Sequence, residues 1–294
     1  MGEAGGRPRD RGPRVRRGPV AAGAQVRQVL RKGGYKWLPR LKRRVYTAEE
    51  REERRAFAQG IVDLTPAQVR AQIHMSMDGV VLTMPPRATD ARAAYLRRGE
   101  EMVWRKPGEH VLAENAGRGK YDGQVPLSRA LPMWGGISED GAAPVIFHGR
   151  KKVKKEEWAR SVDGQLFPAL LAINPGRRRG PFTILCDNEK FLASRVCQDA
   201  HRAKGIRLSH VPARSPDLNL VEVYWSWLRR RLRALDLKDA KEKRPVPEKP
   251  YYRQRVRAVM KSAKSRTVAR NIMRGFQRKC AKIVALGGAA DTRG

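Results

Sequence analysis

The chain has 294 residues, long enough for about two domains, and its 63 Lys and Arg against 29 Asp and Glu give a formal charge of +34. That charge opposes self-association and indicates a polyanionic partner, whereas a hydrophobic fraction of 40% excludes a purely disordered basic tail. The sequence has no apolar run of ~20 residues and no secretory signal pattern. Its three cysteines form no CxxC pair, which favours a reducing compartment and argues against a disulfide scaffold or a zinc ribbon.

The N-terminal part is predicted to be a basic arm followed by a short helix. Residues 1–24 are rich in Gly, Pro and Arg and carry few large apolar side chains, so we expect either a flexible basic arm or a merely solvated tail. A helix is expected over 24–30, ending at Gly33-Gly34. The basic cluster KWLPRLKRR at 36–44 is typical of nucleic-acid contacts and nuclear import signals, which favours the nucleus, or the nucleoid or cytoplasm of a bacterium.

Two helices with clear start signals come next, and a strand follows them. Thr47 and Glu50 form a capping-box pattern at the start of TAEEREERRAFAQGIV, and Thr65-Pro66 opens TPAQVRAQI. Over 73–78, apolar residues alternate with His, Ser and Asp, which is typical of a strand with one buried face. The pattern places Asp78 on the polar face of that strand.

The residue pattern of the rest of the chain predicts strands in hairpins, followed by strands that alternate with helices. This order indicates a mixed α/β sheet. A linker is expected at 241–250 and two basic helices over 251–286. The other predicted elements are strands at 101–105, 131–137, 144–147, 182–186 and 206–211, and helices at 154–172, 190–204 and 217–235.

Three acids stand where this arrangement could make them converge. Asp78 lies on a strand, Asp187 ends a strand, and Glu222 lies on a helix. Oxygen-only ligands suit Mg²⁺ or Mn²⁺ rather than zinc. Two such ions, held ~3.5–4 Å apart, would activate a water or a 3′-hydroxyl and stabilise the leaving oxygen in phosphodiester chemistry. The acids therefore form a candidate two-ion nuclease site in a strongly basic protein.

Each acid also has a structural interpretation that the sequence leaves open. Asp78-Gly79 is a common turn dipeptide, and Asp187-Asn188 could cap the following helix. Glu222 lies three residues after Asn219 and could be its capping-box partner. Residues near the acids could orient them, loop or helix capping being the alternative; these candidates are Asn188, Asp217 and Asn219.

The helix that carries Glu222 is strongly amphipathic. At helical spacing Glu222 shares one face with Ser226 and three arginines, which predicts a basic stripe facing DNA. The opposite face carries Val221, Tyr224, Trp225, Leu228 and Leu232. The candidate phosphate contacts are Lys36, Arg40, Lys42, Arg43, Arg44, Arg229, Arg230 and Arg233.

Other site types find little support. The five histidines show no HExxH motif and no paired ligand spacing, which argues against zinc. No GxxxxGK[ST] motif supports a nucleotide triphosphatase. Cys186 is interpreted as a buried strand residue, and Trp225 and Trp227 as packing residues rather than base-stacking platforms.

Residues 186–233 carry a specific combination of motifs. Asp187-Asn188 ends a strand, the segment PARSPDLNLVE ends at Glu222, and the aromatic run YWSWLRR follows. This block resembles the catalytic core of the mariner-type transposases and the related bacterial insertion-sequence transposases. Between Asp187 and Glu222 lie 34 residues, as in the DD34E class of that family. The resemblance extends over roughly residues 25–235.

The resemblance implies a ribonuclease-H-like fold, an α/β mixed sheet flanked by helices. It implies that Asp78, Asp187 and Glu222 form a metal-binding DDE triad with two Mg²⁺ or Mn²⁺ ions, and that the chain cleaves DNA and joins strands, with a homodimer as a further expectation. The domain boundaries expected are an arm at 1–24, a remnant of a helix-turn-helix region at 25–70, the catalytic domain at 71–240, and a linker with basic helices at 241–294.

The sequence departs from the family pattern in several places. Asp78 is followed by Gly where the family usually has Glu, and Leu220 replaces the usual Pro. Phe191-Leu192 stand where the family often carries a His, and only 24–44 resembles the end of its paired helix-turn-helix domains. We therefore expect a truncated DNA-binding region. The alternative function is a nucleic-acid-binding protein that kept the fold and lost turnover.

Overall fold

The computed structural model describes residues 21–39, 46–85, 102–105, 129–149, 152–177 and 179–289. They fall into two compact units, the smaller drawn from 1–43 and 100–120 and the larger from 44–99 and 121–294. The smaller unit contains helix α1 (Ala21–Lys32) and strand β1 (Lys36–Pro39), which pairs antiparallel with β3 (Met102–Arg105). Helix α1 begins at Ala21, so 21–24 belong to a helix and not to the predicted arm.

The larger unit is built on a five-stranded mixed sheet, as the alternation of elements predicts. Its strand order is β5-β4-β2-β6-β7. Strands β5, β4 and β2 pair antiparallel, whereas β2, β6 and β7 run parallel. The strands are β2 (Met75–Thr83), β4 (Ala130–Ser138), β5 (Gly141–Phe147), β6 (Phe182–Cys186) and β7 (Ile206–His210).

Helices cover both faces of this sheet. The two predicted capping boxes, at Thr47 and Thr65, both form. Among the described residues no helix is long and apolar enough to cross a bilayer. The helices are α2 (Ala48–Val62), α3 (Pro66–Gln72), α4 (Lys155–Ser161), a π-helical turn (Val162–Leu166), α5 (Phe167–Ala172), α6 (Arg195–Ala203), α7 (Leu220–Lys241), α8 (Lys249–Lys261), α9 (Ala263–Arg274) and α10 (Phe276–Ala285).

The sheet separates two hydrophobic cores. On one face, side chains such as Leu131 and Leu185 pack with α7 and the C-terminal helices. On the other, Met77 and Phe182 pack with the α4–α6 layer around Trp158. All nine residues of β4 are buried as a result, because a strand covered on both faces has no solvated side.

The Asp78-Gly79 pair lies inside a strand, so the interpretation of this pair as a turn is wrong. Strand β2 extends five residues beyond Asp78, whose partner across the β2–β4 ladder is Gly135. A Cβ atom on Gly79 would lie 3.0 Å from Cε2 of Trp134. Gly79 therefore leaves room for the Trp134 ring, which gives a physical reason for a glycine after the acid.

The predicted helix at 154–172 contains an irregular turn. The Phe167 N–H bonds to the carbonyl of Val162, five residues back, so α4 and α5 are joined by a π-helical turn. Pro168 follows directly and has no N–H to donate. The apolar spacing predicted the helix, but it contains no signal for this widening of the helix.

Three other predicted boundaries are wrong. Helix α6 starts at Arg195 rather than near 190, because turns occupy the preceding residues. Helix α7 continues to Lys241, so the expected linker is shorter. The C-terminal segment forms three helices rather than two. Ser262 caps the start of α9, and α9 ends at Gly275, where α10 begins.

Candidate active site

Two of the three candidate acids lie side by side on adjacent parallel strands. Met77 of β2 is in register with Cys186 of β6, and each is followed directly by an acid, Asp78 and Asp187. Alternate residues of a strand point to opposite faces. Since Leu185 packs in the core on the α7 side, both carboxylates point toward α7.

The third acid approaches from that helix. Glu222 lies in the first turn of α7, whose buried Tyr224 and Trp225 hold the helix on the sheet. Its carboxyl is close enough to Asp78 for its charge to raise the pKa of Asp78. The structure therefore brings Asp78, Asp187 and Glu222 to one place, at the junction of β2, β6 and α7.

Ionising all three carboxyls of the cluster at once is electrostatically unfavourable. Asp78 is 8% exposed. Burial first, and then the charges of Glu222 and Asp187, raise the pKa of Asp78 from 3.8 to about 8. A hydrogen bond from the Gly79 N–H to Asp78 Oδ1, at 2.6 Å, acts in the opposite direction. Burial and the two neighbouring carboxylates thus disfavour a negative charge on Asp78.

The donor set fits a hard divalent cation. All three side chains offer oxygen only, and within the described part of the chain none of them pairs with a Lys or Arg, although other acids do. No three His, Cys, Asp or Glu side chains among the described residues are already arranged around a common metal position. A bound cation would relieve the repulsion that raises the pKa of Asp78.

One buried amide ties the three elements of the site together. Asn219, fully buried, donates from Nδ2 to Asp187 Oδ1 at 3.0 Å and to the Met77 carbonyl at 3.4 Å. Its Oδ1 accepts a hydrogen bond from Ser76 Oγ at 2.8 Å. Ser76 Oγ in turn accepts the Val221 N–H at 3.1 Å. This Ser76–Asn219 clamp fixes the start of α7 against β2 and orients Asp187.

Two capping interpretations from the sequence are wrong. Asn219 is at the N-cap position of α7 but makes no capping hydrogen bond with its side chain, so Glu222 is not its capping-box partner. Asp187-Asn188 does not cap the next helix, whose N-cap is Ser194. Ser76 was missed by the sequence analysis. Its signal was a small polar residue two positions before Asp78, on the same face of the strand.

The other two residues expected to orient the acids make no hydrogen bond to them among the described contacts. Asn188 is exposed. Asp217 accepts two hydrogen bonds, at 2.8 and 2.6 Å, from the buried guanidinium of Arg54 on α2. Asp217 therefore anchors α2 to the loop before α7, and its described contacts lead away from the acids.

The predicted basic stripe on α7 is exposed. Arg229, Arg230 and Arg233 all present their side chains to solvent on the helix that carries Glu222. Lys36 is exposed on β1 in the smaller unit. The remaining candidates for phosphate contacts lie outside the described residues; they are Arg40, Lys42, Arg43 and Arg44.

Cys186, next to Asp187, is a buried strand residue as predicted. Its Sγ lies 3.7 Å from Nδ1 of His210. Burial, with smaller effects from Asp187 and Asp78, raises the pKa of Cys186 to about 12. The thiolate is therefore scarce, and a thiolate would be needed for nucleophilic chemistry.

Comparison with known proteins identifies related sequences and folds. A family profile for DDE superfamily endonucleases matches residues 88–244, a range that begins after Asp78. A pre-cleavage Mos1 transpososome is 15% identical, with a TM-score of 0.55 over 91% of this chain and 71% of that one. The catalytic domain of Mos1 mariner transposase is 12% identical, with a TM-score of 0.53 over 86% and 99%. No curated protein matches the sequence significantly.

A third similar structure was solved with Mn. The Mos1 mariner paired end complex with Mn is 14% identical, with a TM-score of 0.55 over 90% of this chain and 70% of that one. At these identities the likeness concerns the fold. Together with the strand order, it confirms the expected ribonuclease-H-like sheet with flanking helices.

Proposed function

Because the chain belongs to the DDE superfamily endonucleases, we propose that it is a mariner-like transposase that cleaves DNA phosphodiester bonds and joins the freed 3′-hydroxyl to target DNA. The observation that carries this proposal is the convergence of Asp78, Asp187 and Glu222, with the pKa of Asp78 raised to about 8 by burial and by the other two acids. Three carboxylates that lack a basic partner in the described part of the chain are suited to divalent cations.

In this mechanism the three carboxylates would hold two Mg²⁺ or Mn²⁺ ions. Such ions would supply activation of the attacking oxygen and stabilisation of the leaving oxygen of the phosphodiester. The protein's own contribution is positional. Asn219 holds Asp187 Oδ1 in place, and Ser76 holds the first turn of α7, which carries Glu222. The use of metal is supported by the related Mos1 complex with Mn.

The DNA would lie along the catalytic side of α7. The exposed arginines at 229, 230 and 233 follow Glu222 on the same helix and would contact phosphates, which position the substrate without reading its sequence. The paired end complex of Mos1 supports DNA as the partner and a homodimer as the assembly. A net charge of +34 and the basic 36–44 cluster support a location with the DNA, in the nucleus or, in a bacterium, the nucleoid.

The test is nicking of supercoiled plasmid by purified protein in Mg²⁺ or Mn²⁺, with EDTA as the metal-free arm. We expect metal-dependent nicking that Asp187→Asn or Glu222→Gln abolishes while DNA binding persists. Glu189→Gln is the matched control, because Glu189 is an exposed carboxylate on the same loop as Asp187. It should nick as the wild type does.

Two results would oppose the proposal. Equal traces of nicking from wild type and Asp187→Asn, with binding retained, would favour the alternative of a nucleic-acid-binding protein without turnover. Nicking that survives EDTA would exclude the metal chemistry assigned to the three acids.

A further inference from the structure

Two arginines of α8 stack on one aromatic ring at the edge of the sheet. The Arg257 guanidinium carbon lies 4.7 Å from the centroid of the Phe147 ring, and that of Arg253 lies 5.7 Å from it. Phe147 ends the edge strand β5. The two arginines are four residues apart, so they occupy the same side of their helix.

Neither of these arginines has a carboxylate partner among the residues that the structure describes. The contrast lies within the same helix, where Arg255 binds Asp236 at 2.8 Å and also pairs with Asp239. Arg257 is exposed and Arg253 half-buried. The Nε–H of Arg253 is buried and has no hydrogen-bond partner in the described structure. A buried N–H donor without an acceptor is unfavourable, so the protein itself leaves part of the hydrogen-bonding capacity of Arg253 unused.

The pair lies on the catalytic face of the sheet. Phe147 is in register with Met133, which is in register with Val80 of β2. Val80 and Asp78 point to the same face, because they are two residues apart on one strand. Two strand spacings and two residue rises separate Phe147 from Asp78, which gives about 12 Å between their Cα atoms. That distance corresponds to roughly three to four base-pair steps of rise.

We propose that Arg253 and Arg257, placed over the Phe147 ring, form a phosphate-binding site for the DNA strand that enters the active site. This inference rests on the proposed function and adds a specific contact to it. A guanidinium placed over an aromatic ring can still direct its outer N–H groups at the oxygens of a phosphate. Two such groups at helical spacing would bind one phosphate or two neighbouring ones. This contact lies near the carboxylates but is separate from the α7 stripe.

The experiment measures DNA binding without metal, in the Asp187→Asn background, so that its result does not depend on cleavage. The double variant Arg253→Gln/Arg257→Gln is titrated with a short duplex at several salt concentrations. The slope of log K against log salt is negative, and each lost phosphate contact should reduce its magnitude by about 0.9. We expect a decrease of roughly one to two for this variant.

The matched control is Arg266→Gln/Arg270→Gln on α9, which removes the same charge at the same spacing. Neither of its arginines stacks on an aromatic ring among the described contacts. The control should leave the slope nearly unchanged. An equal decrease in both double variants would overturn the proposal, because bulk charge alone would then account for it.

A third variant, Arg253→Lys/Arg257→Lys, keeps the charge and removes the planar stacking. We expect weaker DNA binding than in the parent protein at every salt concentration, and the same Tm. Binding equal to the parent would overturn the stacked-guanidinium geometry. Failure of the proposed function would be seen separately, as plasmid nicking that does not respond to metal or to Asp187→Asn.

Discussion

Asp217 and Glu222 lie on the same short segment of chain, yet they face surroundings of opposite charge. Asp217 receives both arms of the buried Arg54 guanidinium, at 2.8 and 2.6 Å. Glu222 faces Asp78 and Asp187 instead. Asp236 and Asp239 resemble Asp217, since Arg255 pairs with both.

The difference indicates what each group of acids does. With 63 Lys and Arg in the chain, a basic partner is available for almost any carboxylate. Paired acids connect elements, as Asp217 connects α2 to the loop before α7. The three acids at the β2–β6–α7 junction have no Lys or Arg partner among the described residues, and burying like charges together is unfavourable without a counter-ion. That arrangement is suited to a cation that comes from solution.

The largest expected effect on stability comes from breaking the ion pair of Asp217. Arg54→Met should lower the free energy of unfolding by about 3–5 kcal/mol, because it leaves Asp217 without its buried partner. Urea denaturation measures this effect. Arg55→Met is the control in the same helix, since the Arg55–Glu52 pair is exposed and such pairs contribute about 0–1 kcal/mol. Similar losses in both variants would contradict a special role for Arg54.

A second effect concerns a buried ionisable group with a hydrogen bond but no opposite charge. His201 accepts the Trp158 Nε1–H at 3.0 Å, and burial lowers the pKa of His201 from 6.5 to about 4. As pH falls from 6.5 to 4, the unfolded chain gains a proton that the folded protein does not take up. Stability should fall by about 3 kcal/mol over that window.

The matching variant is His201→Gln, which keeps an acceptor for Trp158 and cannot titrate. Its free energy of unfolding, measured in urea across the same window, should change less with pH than that of the wild type. Parallel curves for the two proteins between pH 6.5 and 4 would show that His201 is not the group responsible.

The Ser76–Asn219 clamp should give a smaller loss of stability together with a loss of activity. Ser76→Ala leaves the Val221 N–H and Asn219 Oδ1 without their buried partner, which should cost about 1–3 kcal/mol. Plasmid nicking should fall further than stability explains, because Glu222 and Asp187 lose their fixed positions. The control is Ser161→Ala, which removes a hydrogen bond to Trp158 within one helix. Its nicking should match that of the wild type at a temperature where both are folded.

The smallest expected effect has the opposite sign. Glu222→Gln removes repulsion with Asp78 and should raise the stability of the metal-free protein by about 1 kcal/mol, the size of a charge–charge interaction near solvent. Asp217→Asn should lower it. Added Mn²⁺ should then raise the Tm of the wild type and leave that of Glu222→Gln nearly unchanged. A metal-free Glu222→Gln protein less stable than the wild type would argue against like-charge crowding at the site.

Much of the fold could be predicted because its signals are local. The capping boxes at Thr47 and Thr65 formed where the pattern placed them, and the apolar spacing of α7 identified its buried face. Helix ends were predicted less well, as at Arg195 and Lys241, because turns and packing against other elements decide where a helix stops. The π-helical turn at Val162–Leu166 was not predicted, because the apolar spacing carries no signal for it.

The candidate site divides in the same way. The residue types and the spacing of Asp187 and Glu222 are properties of the sequence, and so is the basic stripe that follows Glu222. The surroundings of these acids are not. Only the register of β2 against β6 sets Asp78 beside Asp187, and only the folded contacts separate Asn219, which holds Asp187, from Asp217, which holds Arg54. The reason is physical: charge and periodicity act along the chain, whereas partners distant in sequence meet only when the sheet has formed.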